Sequence, residues 1–160
     1  MSLEPISPPP RPLPALLQEV KLAAVRKLLE RLADAGHPDI RESYGCVFGF
    51  IDLEHGSRLT ELAESAGLTK QAVGEAVTEL ERLGYVERVP DPQDGRAKLI
   101  KLTERGLDGC LKGRRLFAQI EAEWAEQLGR ELMASFREAA TRIAELEGAP
   151  VEAGGRRRAA

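Results

Sequence analysis

The sequence predicts a mainly α-helical fold with one small β hairpin, placed between long helices near both ends of the chain. Two observations carry this prediction. Two short helical segments with apolar stripes occupy residues 59–83, and a strand–turn–strand pattern follows directly over residues 85–103. At 160 residues, the chain is long enough to bury one substantial core.

The N-terminal elements are set by proline, glycine and apolar spacing. Residues 1–14 contain six prolines, which is typical of an extended or disordered arm. Residues 15–38 form a predicted N-terminal dimerisation segment, whose helix ends near Ala35 because Gly36 and Pro38 follow. Its apolar stripe consists of Leu16, Val20, Ala24, Leu28 and Leu32.

A second helix is predicted from the next residues. Asp39 and Glu42 form a capping-box-like pattern at its start. The residues expected to point inward from this helix are Ile40, Tyr44, Val47, Phe48 and Ile51.

Residues 59–83 fit a helix-turn-helix. With Leu59 as the first position, Ala63 falls at the fifth, Gly67 at the ninth and Val73 at the fifteenth. A small residue lets two helices cross closely, and glycine suits a turn with positive φ. Thr69 is placed to cap the second helix, which begins at about Lys70. The other residues expected to face inward are Leu62, Ala66, Leu68, Ala76, Leu80 and Leu83.

The remaining face of this second helix predicts contacts with DNA. In its first turn, free N–H groups and the positive helix end favour phosphate. Glutamine can contact adenine, threonine can contact base edges or phosphate, and glycine permits close backbone approach. Glu75, on the same face, would accept from a cytosine amino group or repel phosphate. An ordinary solvent-exposed face with mixed charge is the alternative interpretation. The candidate residues are Thr69, Lys70, Gln71, Gly74 and Thr78.

The hairpin over residues 85–103 predicts a cationic wing. Two apolar runs flank a polar tip of proline, aspartate and glycine, which is typical of a hairpin with a longer loop. Arg96 stands where the tip returns to the second strand, so it is placed to reach into a groove of a duplex. The candidate DNA-contacting residues of the wing are Arg88, Asp94, Arg96 and Lys98.

Four stretches, residues 59–73, 80–88, 91–97 and 102–106, resemble the MarR family (multiple-antibiotic-resistance-type regulators). The close match covers roughly a third of the chain, and the helix order on both sides fits the family over nearly all of it. The family's wing carries an Asp-x-Arg-Asp-x-Arg pattern. Asp91, Asp94 and Arg96 occupy their places here, whereas Gln93 replaces the first arginine and Gly95 fills a site that is often basic.

The resemblance implies a winged helix-turn-helix regulator that binds a palindromic operator as a homodimer. The second helix of the unit would enter the major groove and Arg96 the minor groove. The resemblance also implies a repressor that is released by a small aromatic or phenolic ligand. Residues expected to line the ligand cleft are Tyr44, Phe48, Asp52 and Phe117, although core packing explains these aromatics equally well.

Residues 39–106 then form the winged domain, residues 107–147 the C-terminal dimerisation helices, and residues 148–160 a disordered tail. Thr103 opens a long helix that Gly129 interrupts, and a final helix follows. These helices and the first have more apolar surface than a small winged domain needs, which predicts pairing with a second copy. The apolar positions are Phe117, Ile120, Trp124 and Leu128, then Leu132, Phe136, Ala140, Ile143 and Leu146.

Charge limits the strength of any interaction with DNA. The net charge is −3, and residues 57–106 alone carry eight Lys/Arg against nine Asp/Glu. Affinity depends on which cations meet phosphates, so we expect modest, salt-sensitive binding that needs two copies. There is no run of eighteen apolar residues and no signal-peptide pattern, which predicts a cytoplasmic protein.

Other chemistry is sparse. We expect no enzymatic activity, cofactor or metal, because no catalytic set is evident and His37 and His55 lack partners at ligand spacing. Cys46 and Cys110 are expected to be unreactive core thiols, and an oxidation sensor acting through either is the alternative. A second alternative is a winged helix used for protein contacts, which the acidic balance would suit.

Overall fold

The computed structural model describes residues 10–148 and is mainly helical with one small antiparallel sheet, as predicted. The winged unit lies between a long N-terminal helix and two C-terminal helices. In chain order the elements are α1 (Leu13–Asp34), a 3₁₀ turn (Glu42–Tyr44), α2 (Gly45–Phe48), β1 (Ser57–Arg58), α3 (Leu59–Ala66), α4 (Lys70–Arg82), β2 (Val86–Asp91), β3 (Asp94–Leu102), α5 (Glu104–Leu128) and α6 (Arg130–Leu146).

Helix α1 begins at Leu13, two residues inside the segment expected to be an arm. Proline suits the first turn, since the N–H that it lacks has no partner within the helix there. Residues 1–9 of the arm and residues 149–160 of the tail lie outside the described residues. Of the predicted stripe on α1, Leu28 and Leu32 are buried, whereas Leu16 and Val20 are exposed.

The predicted second helix is much shorter than expected. The capping box on Asp39 is wrong: its carboxylate accepts a hydrogen bond from Arg105 at 2.7 Å, and only a 3₁₀ turn and four α-helical residues follow. The inward pattern is nevertheless confirmed, because Tyr44, Val47 and Ile51 are buried in the main core.

The helix-turn-helix is confirmed. Gly67 ends α3 in the left-handed conformation, at φ 64°, and the Thr69 hydroxyl caps α4 by accepting the Ala72 N–H at 3.2 Å. Ala63 and Val73 are buried between the helices. Leu68 was expected to point inward, but its side chain is 50% exposed, since the turn carries it past the core.

The sheet has the strand order β1-β3-β2, with both pairs antiparallel. The two-residue strand β1 was not predicted from the sequence. Strands β2 and β3 pair regularly from Val86 with Leu102 to Pro90 with Lys98, and the next pair is Asp91 with Asp94. Residues 95–97 are therefore extra on β3 and form a bulge opposite the end of β2, so the hairpin tip is a turn rather than a long loop.

Two clusters of buried residues organise the molecule. The larger joins α2, α3, α4 and the sheet, and the smaller joins α1 to α5 through Leu28, Leu32 and Ile120. Helix α6 contains no buried residue, and its Leu132 and Ile143 are 61% and 48% exposed. No helix within residues 10–148 is both long enough and apolar enough to cross a bilayer.

Candidate nucleic-acid interface

Helix α4 presents one exposed stripe to solvent. Its buried residues, Val73, Ala76, Val77 and Leu80, fix the inward side. At 3.6 residues per turn, the opposite side carries Gln71, Glu75, Thr78 and Arg82, all of which are exposed. We call these four residues the outer stripe of α4.

Several α4 side chains selected from the sequence already have partners within the chain. The Thr69 hydroxyl is used as the helix cap, and the Thr78 hydroxyl donates to the Gly74 carbonyl oxygen at 2.8 Å. Gln71 donates its side-chain amide to Glu75 at 3.2 Å. Lys70 is exposed in the first turn, and no ion pair to it occurs in the described part of the chain.

The wing tip is ordered by two aspartates. Asp91 accepts the Gln93 backbone N–H at 2.8 Å, and Asp94 accepts the Arg96 N–H at 3.1 Å. These Asx turns stabilise the tip without the basic residue that Gln93 replaces. The Arg96 side chain projects from the bulge, is exposed, and makes no hydrogen bond or ion pair within residues 10–148.

Asp91 also connects the wing to α3. Its carboxylate accepts from the Arg58 guanidinium at 2.8 Å, while the Arg58 backbone N–H donates to Glu61 in the capping box of α3. The Gln93 N–H, followed by Arg58, lowers the pKa of Asp91 below its usual value. Sequence analysis did not identify Arg58, because its partner lies 33 residues away.

The structure places Arg88 differently from the other wing cations. Its guanidinium forms an ion pair with Glu81 and donates to the Thr78 hydroxyl at 3.2 Å, so its charge is compensated within the chain. Arg82, one residue from Glu81, is exposed at the end of the outer stripe. A helical-wheel projection of α4 would have identified Arg82 from the sequence.

Pairing within the winged unit leaves its free positive charge at defined places. Three of its arginines are in ion pairs: Arg58 with Asp91, Arg88 with Glu81, and Arg105 with Asp39. The other five cations of residues 57–106 make no ion pair or side-chain hydrogen bond in the described part of the chain. They lie at the two ends of α4 and on the wing: Lys70, Arg82, Arg96, Lys98 and Lys101.

Of the four residues expected to line a ligand cleft, three already contact other groups of the same chain. Tyr44 is buried and donates its hydroxyl to Glu79 at 2.7 Å, and the ring of Phe48 meets Tyr85 edge-on. Asp52 accepts two backbone N–H groups of its turn, and Phe117 is 37% exposed on α5. A groove of about 540 Å³ along α1 contains none of the four.

Both cysteines lie in the protein interior. Burial raises the pKa of Cys46 and of Cys110, so each thiol is held in its protonated, less nucleophilic form. His37 is also buried, between the Tyr85 hydroxyl at 3.2 Å and Asp108 at 2.8 Å. Within residues 10–148, no three His, Cys, Asp or Glu side chains are grouped to hold a metal.

The chain resembles known proteins both in sequence and in fold. Residues 41–97 match the sequence profile of the MarR family. The reduced form of MarR from E. coli superposes with a TM-score of 0.70 at 26% identity, over 82% of this chain and 96% of that one. No curated protein sequence matches the chain.

Two further solved structures share the fold. The transcriptional repressor CouR, bound to a 23-mer DNA duplex, has a TM-score of 0.67 at 22% identity, over 83% of this chain and 92% of that one. The regulator PcaV from Streptomyces coelicolor, with its natural ligand, has a TM-score of 0.62 at 23% identity, over 91% and 98%. The winged unit is thus similar to the MarR family over residues 41–97, and the chain shares the fold of these solved transcriptional regulators.

Proposed function

We propose that the chain is a cytoplasmic, homodimeric transcriptional repressor that binds a palindromic operator. Helix α4 enters the major groove in each half-site, and the wing follows the backbone so that Arg96 reaches the minor groove. The CouR complex supports a role on DNA by likeness of fold.

One observation carries this proposal: the free cations of an acidic winged unit are concentrated on α4 and the wing. Arg96 is exposed on a bulge that two Asx turns hold in place. Its guanidinium is therefore already positioned to bind phosphate or to enter a narrow groove. Preorganisation of this kind reduces the entropy lost on binding.

Dimerisation would double these contacts. The exposed apolar residues of α1, α5 and α6 supply a surface for a second copy, and two-fold symmetry would place the two α4 helices in successive major grooves. Four exposed cations per protomer that reach phosphate would give log K against log salt a slope of about −7 for the dimer.

A small aromatic or phenolic ligand is the proposed signal. PcaV, which was solved with its natural ligand, supports ligand binding by likeness of fold, and the aromatic chemistry is our proposal. In this chain Phe117 is the exposed aromatic of the four cleft candidates, while Tyr44, Phe48 and Asp52 would contribute after rearrangement. Such a ligand changes DNA binding only if it binds more tightly to one spacing of the dimer's two winged units than to another.

The proposal is tested by salt titration of binding to the DNA upstream of the protein's own coding region. Arg96→Ala should weaken binding by about 1–3 kcal/mol. Lys70→Ala should weaken binding to all sequences alike and make the salt slope shallower, because it removes a phosphate contact.

Arg130→Ala is the matched control. Arg130 is an exposed arginine at the start of α6, remote in the chain from the winged unit, and its loss should leave affinity and slope unchanged. Absence of binding by the parent protein at about 50 mM salt would contradict the proposal and favour a winged helix that contacts proteins.

A further inference from the structure

We propose that Glu75, oriented by Gln71, is the base-selecting residue of α4 and that it requires a cytosine in each half-site. This inference rests on the proposed binding of α4 in the major groove. It concerns the sequence that the protein selects rather than whether it binds DNA.

The geometry of the pair determines which groups face outward. The Gln71 side-chain nitrogen lies 3.2 Å from a carboxylate oxygen of Glu75, one turn further along the outer stripe. A carboxylate only accepts hydrogen bonds, so Gln71 must turn its N–H₂ group toward Glu75. The Gln71 carbonyl oxygen and the remaining lone pairs of Glu75 are then left for an external donor, and the second N–H of Gln71 is left for an external acceptor.

The other donor on this part of the stripe is already used. The Thr78 hydroxyl gives its proton to the Gly74 carbonyl oxygen and accepts from Arg88. From Glu75 to Thr78 the outer stripe of α4 therefore offers acceptors and no free side-chain donor. The free donors of the stripe lie on either side, at the second N–H of Gln71 and at Arg82 at the end of the helix.

Base edges in the major groove respond differently to such a surface. Guanine presents two acceptors, N7 and O6, and thymine presents O4, so all three oppose a carboxylate. Adenine presents one amino donor beside the N7 acceptor. Cytosine presents its N4 amino group with an acceptor on one side only, the O6 of the paired guanine, whereas the adenine amino group lies between N7 and the thymine O4, so cytosine is the base that best complements Glu75.

The placement of cations makes an acidic residue tolerable at this position. Lys70 and Arg82 lie at opposite ends of α4, and neither is neutralised by an ion pair within the described residues. They can hold the phosphates on either side while Glu75 lies between them, over the base edges. A carboxylate there costs affinity for every sequence that lacks a donor, and it thereby creates selectivity.

The test is selection from a library of duplexes with randomised sequence, followed by sequencing of the bound DNA. The parent protein should fix a C·G pair at one position of each half-site. Glu75→Gln supplies a donor and an acceptor together, so the preference there should move to adenine by at least about fivefold. Glu75→Ala should make that position unselective and leave the others unchanged.

Glu64→Gln is the control, because it removes the same charge from an exposed residue of α3 in the same winged unit. It should tighten binding slightly without altering base preference, and circular dichroism should show that all variants keep their helices. Identical preferences in the parent and in Glu75→Gln, or a parent preference without cytosine, would overturn the inference while leaving DNA binding intact. Failure of the parent to retain any duplex at low salt would instead overturn the proposed function, and this inference with it.

Discussion

Asp91, at the end of β2, joins the wing tip to the start of α3 through one carboxylate. It accepts from the Gln93 N–H at the wing tip and from Arg58, the residue that precedes α3. Both donors favour the charged form, and so the pKa of Asp91 is lowered in the folded state. The stability that this carboxylate supplies is complete above the unfolded-state pKa near 4 and is lost as pH falls through the lower folded-state pKa.

Asp91→Asn should therefore lower Tm near pH 7, and the gap to the parent should narrow between about pH 5 and pH 3. Thermal unfolding at a series of pH values measures this gap. Glu87→Gln is the control: Glu87 is exposed on the same strand, has no ion pair within residues 10–148, and should give a profile parallel to that of the parent. A gap that widens in acid would show that the charged form of Asp91 does not stabilise the fold.

Residues whose role depends on their immediate neighbours were predictable from the sequence. Thr69 caps α4 and Gly67 takes positive φ because of local backbone needs, and Arg96 is exposed because a polar tip precedes it. The compensation of Arg88 was not predictable, since it depends on how the wing packs beside α4 and places Glu81 within reach.

Helix α5 passes very close to the end of the helix-turn-helix. A Cβ atom built on Gly106 would lie 1.8 Å from the Tyr85 carbonyl oxygen, a backbone atom that also accepts the Thr103 N–H. Gly106→Ala should consequently force the first turn of α5 away from Tyr85 and destabilise the protein by about 3 kcal/mol.

Gly113, two turns later on the same helix, is the matched control, because a Cβ there meets nothing within 4 Å. Gly113→Ala should stabilise the protein by about 0.5–1 kcal/mol, through the greater helix propensity of alanine. Urea unfolding measures both changes. Similar effects of the two substitutions would mean that the close approach of α5 to Tyr85 does not restrict residue 106.

At the level of elements, periodicity predicted the long helices and the hairpin, and failed where tertiary contacts override local pattern. Asp39 has the sequence of a helix cap, yet Arg105 of α5 binds its carboxylate. Strand β1 exists only because residues 57 and 58 pair with β3, and the bulge at residues 95–97 depends on strand register. Neither feature has a signal within a short window of sequence.

The whole molecule leaves too much apolar surface exposed for one copy. Helix α6 buries no residue, and further apolar side chains are exposed on α1 and α5. The groove of about 540 Å³ along α1 belongs to the same surplus. Exposed apolar area of this extent favours association, and a two-fold dimer would cover it and would also pair the two wings on DNA.

Replacing Phe136 and Ile143 together by serine tests this arrangement, because both side chains lie on the apolar stripe of α6. The parent should sediment at twice the chain mass of 17.5 kDa, and the double variant at the mass of one chain. Glu145→Ser, on the opposite side of α6, should remain dimeric. Binding to a palindromic duplex should fall at least about 100-fold in the double variant, because the two half-sites would then be bound independently. Two outcomes would contradict the pairing of the two α4 helices through α1, α5 and α6. One is a parent protein that sediments as one chain at micromolar concentration, and the other is a monomeric variant that binds the palindrome as tightly as the parent.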